Sequence, residues 1–170
     1  MQPQPEPGAQ RTAWLTLVPI LRHTRQARYR SLYMPHIVIE YSANLAQKTS
    51  LPQLIERLHE TAIATGVFPR GGARTRAIRC DDYRIADGAP DNAFVHVSLR
   101  IGHGRSLDVK RAAAQAVFDA LVGQLAIVYA QSPLGLSLEV QEIDPELSFK
   151  HNNLHDYVKA RASGGSGVSP

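Results

Sequence analysis

Cysteine is nearly absent from the sequence. The 170 residues include one cysteine, Cys80, so the chain can form neither an intramolecular disulfide nor a cysteine-based metal site. His151 and His155 have a spacing that can bind a metal, but Asn152 and Asn153 fill part of the gap and no third ligand stands nearby. We interpret the two histidines as a surface pair. We therefore expect no bound metal, and the single cysteine fits a reducing, cytoplasmic location.

The sequence also lacks long hydrophobic runs and nucleotide-binding signatures. The apolar run at residues 13–21 is interrupted by Pro19 and is too short to span a bilayer. The turn at residues 102–104, Gly-His-Gly, lacks the third glycine of a dinucleotide fingerprint. These absences argue against a membrane protein and against an enzyme that depends on a dinucleotide.

Acidic residues are almost absent from the first 33 positions. That segment contains five arginines and one acid, Glu6, whereas the whole chain has 19 basic and 15 acidic residues. The net charge of +4 therefore belongs entirely to residues 1–33, and the charges of residues 34–170 cancel. A nucleic-acid-binding domain would carry its positive charge in the folded part, so we expect no nucleic-acid partner.

The composition predicts three segments. Residues 1–33 begin with a stretch rich in proline and glutamine, and we interpret them as a basic extension that is disordered or results from a mis-assigned translation start. A transit peptide, which is rich in arginine and poor in acids, is the alternative. Residues 34–160 form the predicted domain, and residues 161–170 are a flexible tail rich in glycine and serine.

Hydrophobic periodicity divides the predicted domain into two similar halves. Each half shows an alternating strand pattern, then a helical pattern that begins after a capping serine, Ser50 or Ser106, then another strand. Two tandem β-α-β units predict an α/β fold, a four-stranded sheet with two helices on one face. We expect the other face, which also bears apolar residues, to pack against another subunit. The predicted strands cover residues 36–42, 74–80, 94–101 and 136–140.

Pro35 is the most informative candidate for chemistry. It follows Met34, the one methionine besides Met1, at the position where the composition changes and a strand begins. Removal of an initiator methionine would leave Pro35 with a free secondary amine, which can act as a general base. Within a chain its nitrogen is an amide and is not basic. A structural explanation also exists, because proline is tolerated at the first residue of a strand.

Residues 35–160 resemble the 5-carboxymethyl-2-hydroxymuconate delta-isomerases, which belong to the tautomerase superfamily and use an N-terminal proline as the catalytic residue. Residues 1–33 have no counterpart in this resemblance. The matching stretches are PHIVIEYSANL at 35–45, LPQLIERLHETAIATGVFP at 51–69, ADGAPDNAFVHVSLRIGHGRSL at 86–107 and LSFKHNNLHDYVK at 147–159.

The resemblance implies a cofactor-free isomerase that shifts a carbon–carbon double bond by enol–keto tautomerisation. Pro35 would be the catalytic base, Arg105 a second catalytic residue, and Arg74 and Arg76 would bind the substrate. Guanidinium groups suit that substrate, which carries three carboxylates, because they can bind a carboxylate in a bidentate way. The resemblance also implies a homotrimer and a role in homoprotocatechuate and 4-hydroxyphenylacetate degradation.

Two alternatives remain open from the sequence. The chain could be a tautomerase that acts on another 2-hydroxydienoate or on an arylpyruvate. If residues 1–33 are retained, it could instead be a non-catalytic oligomeric module that binds an anionic partner through residues 11–30. Each arginine named above can also be an ordinary surface charge.

Overall fold

A computed structural model describes residues 34–164. The predicted basic extension, residues 1–33, and residues 165–170 of the predicted tail lie outside the described residues. Within the described range, no helix is long and apolar enough to cross a membrane.

The described chain folds into the two predicted β-α-β units. The strands of each unit are parallel, and the two units meet through the antiparallel pair of β1 and β3, so the strand order is β2-β1-β3-β4. The predicted four-stranded sheet is thereby confirmed. The first unit comprises β1 (His36–Ser42), α1 (Leu51–Ala64) and β2 (Arg74–Cys80), and the second comprises β3 (Ala93–Gly102), α2 (Leu107–Gln124) and β4 (Leu134–Ile143).

Both long helices begin at the predicted capping serines. The Ser50 hydroxyl accepts a hydrogen bond from the main-chain N–H of Gln53 at 3.5 Å, and Ser106 accepts one from Val109 at 3.4 Å. Each bond satisfies one N–H that the first turn of a helix would otherwise leave without a partner. The two units therefore start their helices by the same local mechanism.

The hydrophobic core lies between one face of the sheet and the helices. Alternate residues of the central strands point toward the helices, and the helices return side chains at intervals of three to four residues. Burial of each large aliphatic side chain contributes about 1.5–3 kcal/mol. The core members with no exposed surface include Ile37, Ile39, Val95, Val97 and Leu99 from the strands and Leu54, Leu58, Val117 and Leu121 from the helices.

The opposite face of the sheet, which we call the open face, is mostly polar. The register aligns His36 with Arg74 and Arg100, and it aligns Val38 with Arg76 and Ser98. Apolar side chains on this face are few, because the strands direct most of theirs toward the helices. The apolar members of the open face in the strand register are Val38, Ile78, Phe94 and Ile143. The packing of this face against another subunit stays a prediction.

Two further helices follow the second unit in the chain. The short helix α3 (Ala126–Gln131) precedes β4, and α4 (Leu154–Ala162) follows it. Helix α4 packs against the single turn of 3-10 helix at Arg70–Gly72. A Cβ atom on Gly71 would lie 2.8 Å from the Cα of His155, so only glycine allows this close approach. The C-terminal part of the chain is thus joined to the loop that leads into β2.

Candidate active site

Pro35 is buried immediately before β1. Its carbonyl oxygen accepts a hydrogen bond from the main-chain N–H of Arg74 at 3.0 Å. This bond continues the parallel β1–β2 ladder by one residue, in which His36 is already aligned with Arg74. The sheet itself therefore brings the predicted base and the first predicted substrate-binding arginine together.

The Arg74 side chain is half-buried and held by two acceptors. Its Nη1 donates to the carbonyl of Gly72 at 2.6 Å, and its Nη2 donates to the Oδ1 of Asn152 at 3.4 Å. Both acceptors are uncharged, so they orient the guanidinium without neutralising its charge. Such an arrangement suits a group that binds a carboxylate.

Arg76 lies two residues further along β2, exposed, next to His36. Its Nη1 lies 3.3 Å from the Nδ1 of His36, and because a guanidinium can only donate, the histidine accepts through Nδ1. Burial lowers the pKa of His36 below its usual value, and the positive charges of Arg76, Arg74, Arg100 and Lys150 lower it further. His36 is therefore held neutral within a cluster of cations.

Arg105 is half-buried in the turn between β3 and α2. Its Nη1 donates to the carbonyl of Gly102 at 3.0 Å, its Nη2 donates to the carbonyl of Val67 at 3.1 Å, and the guanidinium lies 5.6 Å from the ring centre of Phe68. These contacts join the end of β3 in the second unit to the loop after α1 in the first. The antiparallel register puts the end of β3 beside the start of β1, so Arg105 follows β3 at the same end of the sheet as Pro35, with different contacts from those of Arg74 and Arg76.

The C-terminal segment contributes to this site, and no pattern in the sequence predicted that contribution. Asn152 contacts Arg74, and the charge of Lys150 acts on His36. Both residues belong to the stretch LSFKHNNLHDYVK, in which the sequence indicated a family resemblance and a histidine pair but no role for Asn152 or Lys150. The polar run Lys-His-Asn-Asn at residues 150–153 was the available signal.

The prediction of a surface histidine pair is wrong for His155. His151 is exposed, whereas His155 is half-buried with its Nδ1 against Gly71, and its Nε2 is buried without a hydrogen-bond partner among residues 34–164. Helix α4 begins at Leu154, so the two histidines do not share a helical face. The described part of the chain contains no group of three or more potential metal ligands.

Comparison with known proteins identifies the family. The sequence model for 5-carboxymethyl-2-hydroxymuconate isomerase matches residues 35–158. The chain belongs to the 5-carboxymethyl-2-hydroxymuconate isomerase family. The match begins at Pro35 and includes Arg74, Arg76 and Arg105. It also includes Asn152, which the resemblance alone had not singled out.

Individual members of the 5-carboxymethyl-2-hydroxymuconate isomerase family agree with this assignment. The chain is 39% identical to a 5-carboxymethyl-2-hydroxymuconate Delta-isomerase from Escherichia coli over 126 residues, which are 74% of this chain and 100% of that protein. A crystal structure of a 5-carboxymethyl-2-hydroxymuconate isomerase from Deinococcus radiodurans R1 is 39% identical, with a TM-score of 0.69 over 74% of this chain and 94% of that one. A crystal structure of a second such delta-isomerase is 31% identical, with a TM-score of 0.69 over 74% and 93% of the two chains.

Proposed function

We propose that this chain isomerises 5-carboxymethyl-2-hydroxymuconate by enol–keto tautomerisation, with Pro35 as the general base. The observation that carries the proposal is the 39% identity to the Escherichia coli isomerase along that protein's entire length. The buried Pro35, whose carbonyl oxygen accepts a hydrogen bond from the main-chain N–H of Arg74, supports it. The proposal assigns the chain to the isomerases that transpose carbon–carbon double bonds.

Pro35 acts as a base only when its nitrogen is a free amine. We propose that the active form begins at Pro35, after initiation at Met34 and removal of that methionine, or after trimming. A proline amine is normally protonated at neutral pH, but burial and nearby positive charges disfavour the charged form. The burial of Pro35 and the cations around His36 supply both influences. Both influences lower the pKa of the amine, which favours the unprotonated form that a general base needs.

The arginines bind the carboxylates of the substrate in this proposal. Arg74 is oriented by neutral acceptors, and Arg76 extends the positive charge along the same face of β2. Arg105 contributes from the end of β3, where its orientation is fixed by two carbonyl groups. The same charges stabilise the negative charge of a dienolate as it develops.

The reaction is a proton shift within one molecule. Pro35 takes the proton from the 2-hydroxyl group of the hydroxymuconate, the oxygen becomes a carbonyl, and the conjugated system accepts the proton back from Pro35 at a carbon atom. The substrate and product are isomers, so neither an electron donor nor a cofactor enters the balance.

We further propose that the protein is a cytoplasmic homotrimer in homoprotocatechuate breakdown. Among residues 34–164, β2 and β4 are the outer strands of the sheet, and each pairs with one neighbour. Strand β2 carries three arginines and no acid, whereas β4 carries Glu139 and Glu142 and no basic residue. Edges of opposite charge favour head-to-tail contacts, and such contacts form a closed ring when the rotation between neighbouring subunits closes. Light scattering coupled to size-exclusion chromatography should give the mass of three chains.

The experiment that tests the activity compares two forms of the protein. One is the full 170-residue chain, and the other begins at Met34, from which the host removes the methionine. The shorter form retains every core residue of the described fold. We expect isomerase activity only in the form whose mass and N-terminal sequence show Pro35 at the start. The matched control is the full chain cleaved to begin at Pro35, which should regain the activity.

Substrate range decides between this activity and related ones. A 2-hydroxymuconate that lacks the carboxymethyl group, and an arylpyruvate, should both react more slowly than the tricarboxylate. Faster turnover of either compound would indicate a different tautomerase activity. Inactivity of the form that begins at Pro35 on all three compounds would contradict an isomerase.

A further inference from the structure

The C-terminal segment at residues 148–155 reaches the predicted substrate-binding arginine from outside both β-α-β units. Asn152 accepts a hydrogen bond from Nη2 of Arg74, and its Nδ2 donates to the carbonyl of Gly71 at 3.4 Å. One amide side chain therefore links this segment to the arginine and to the turn that precedes β2.

Asn152 is itself held in place by helix α4. Its Oδ1 also accepts a hydrogen bond from the main-chain N–H of Leu154 at 3.0 Å, at the first residue of that helix. The close contact of His155 with Gly71 fixes the helix against the same turn. The orientation of the amide is thus determined by main-chain groups on both sides, and a rotation of Asn152 would break bonds to both.

The amide oxygen of Asn152 is uncharged, and this affects how Arg74 can bind a carboxylate. An aspartate at this position would form an ion pair with the guanidinium and compete with a substrate carboxylate, whereas an amide oxygen orients it and leaves its charge uncompensated. The main-chain carbonyl of Gly72 is likewise neutral. By contrast, Arg70, Arg79 and Arg111 each form a salt bridge with a carboxylate.

We infer that Asn152 is a positioning residue, which holds the Arg74 guanidinium in the orientation that binds a substrate carboxylate beside Pro35. The inference rests on the proposed function for the identity of the substrate. By this inference the C-terminal segment, which lies outside the β-α-β units, orients a substrate-binding side chain. Lys150, two residues earlier, places a positive charge near His36 from the same segment.

The test uses N152A and N152D with N153A as the matched control, because the Asn153 side chain makes no capping hydrogen bond to α4. In the form that begins at Pro35, we expect N152A to raise KM roughly three- to tenfold, the range for loss of one hydrogen bond, with kcat changed less than about twofold. N152D should raise KM further. N153A should leave both constants unchanged, and melting temperatures will show whether each variant is folded.

A double-mutant cycle separates positioning from a general structural effect. If Asn152 acts through Arg74, the variant R74A/N152A should bind substrate no more weakly than R74A alone. Additive losses would overturn the inference, as would equal effects of N152A and N153A or a wild-type KM in N152D.

A binding measurement distinguishes failure of this inference from failure of the proposed function. Calorimetric titration of the full chain with propane-1,2,3-tricarboxylate reports on the arginine site without any reaction. Weaker binding in N152A, but not in N153A, would uphold the positioning role even if the isomerase assay failed. Equal binding in wild type, N152A and R74A would overturn it even if the isomerase assay succeeded.

Discussion

The two β-α-β units share a backbone plan but differ in the chemistry of their side chains. Each has a buried central strand, a helix capped by serine and an outer strand parallel to the first. The outer strand of the first unit carries Arg74, Arg76 and Arg79, whereas that of the second carries Glu139 and Glu142. The first unit also begins at the buried Pro35. The same plan therefore supports a cationic site in one half and an acidic edge in the other.

The fold and the site therefore depend on different residues. The residues that make the units alike are the buried aliphatic ones and the capping serines. The residues that differ between the units lie at strand ends and on the open face. Core packing restricts the choice of side chain little at these positions. Arg105 connects the two halves, because it belongs to the second unit and donates to Val67 of the first.

The first prediction concerns the free energy of unfolding, and it tests whether the two units contribute alike to the core. Leu58 in α1 and Leu121 in α2 are both without exposed surface, so L58A and L121A should each lower the free energy of unfolding by about 2–5 kcal/mol. Urea unfolding of both variants measures this. V109A is the control, since Val109 in α2 is 42% exposed and its truncation should cost little. A loss near zero for either leucine would contradict equal roles of the two helices in the shared core.

The second prediction tests the difference between the units at Pro35. In the form that begins at residue 35, P35A should lower kcat about a hundredfold, near the lower end of the contribution of a general base, since the alanine amine can still accept a proton. Steady-state kinetics, with circular dichroism to verify folding, measure it. An unchanged kcat would mean that the base lies elsewhere.

The third prediction separates Arg74 from Arg105. R74A should raise KM about tenfold and lower the free energy of unfolding less than R105A does, because it leaves only one main-chain carbonyl, that of Gly72, without its side-chain donor. R105A should also lower the free energy of unfolding by about 1–3 kcal/mol, because it leaves two main-chain carbonyls at the junction of the units without their donor.

Arg79 provides the matched control for both arginine variants. It lies on the same strand as Arg74 and forms an exposed ion pair with Asp81, away from Pro35. R79A should therefore change neither KM nor the melting temperature appreciably. Equal effects of R74A and R79A on KM would contradict a substrate-binding role for Arg74.

The smallest expected effect concerns His36, on which charges from β2, β3 and the C-terminal segment act. Its pKa is lowered first by burial and then by Arg76, Arg74, Arg100 and Lys150. As the pH falls below the ordinary histidine pKa of 6.5, the unfolded chain therefore binds a proton at His36 more readily than the folded chain does. The contribution of His36 to the free energy of unfolding thus decreases as the pH falls. Urea unfolding between pH 8 and pH 5 should show wild type losing stability relative to H36Q. Parallel curves would refute the assignment.

Sequence patterns predicted the central strands well and the outer ones less well. The alternation of Val95, Val97 and Leu99 is clear because that strand has neighbours on both sides and a helix over one face. Strand β2 had a weak pattern because it is an outer strand with an exposed, arginine-rich face. The predicted single helix after Ser106 ends at Gln124, and a second short helix follows it.

The sequence by itself determined the fold class and its strongest candidate residue. Periods of two and of three to four residues distinguish strands from helices because each reflects the geometry of one local structure. The break in composition at Met34 indicated Pro35. Periodicity and composition are properties of neighbouring residues, so they do not depend on which distant segments are in contact.

Which segments meet at the site depends on tertiary contacts. The parallel ladder aligns Arg74 with His36 across 38 positions of sequence, and Asn152 reaches Arg74 across 78. His155 can approach Gly71 closely because glycine has no side chain. Hydrophobic periodicity does not predict such a contact. Contacts between distant segments depend on strand register and on the packing of helix α4, and neither leaves a repeating pattern in the residues that make them.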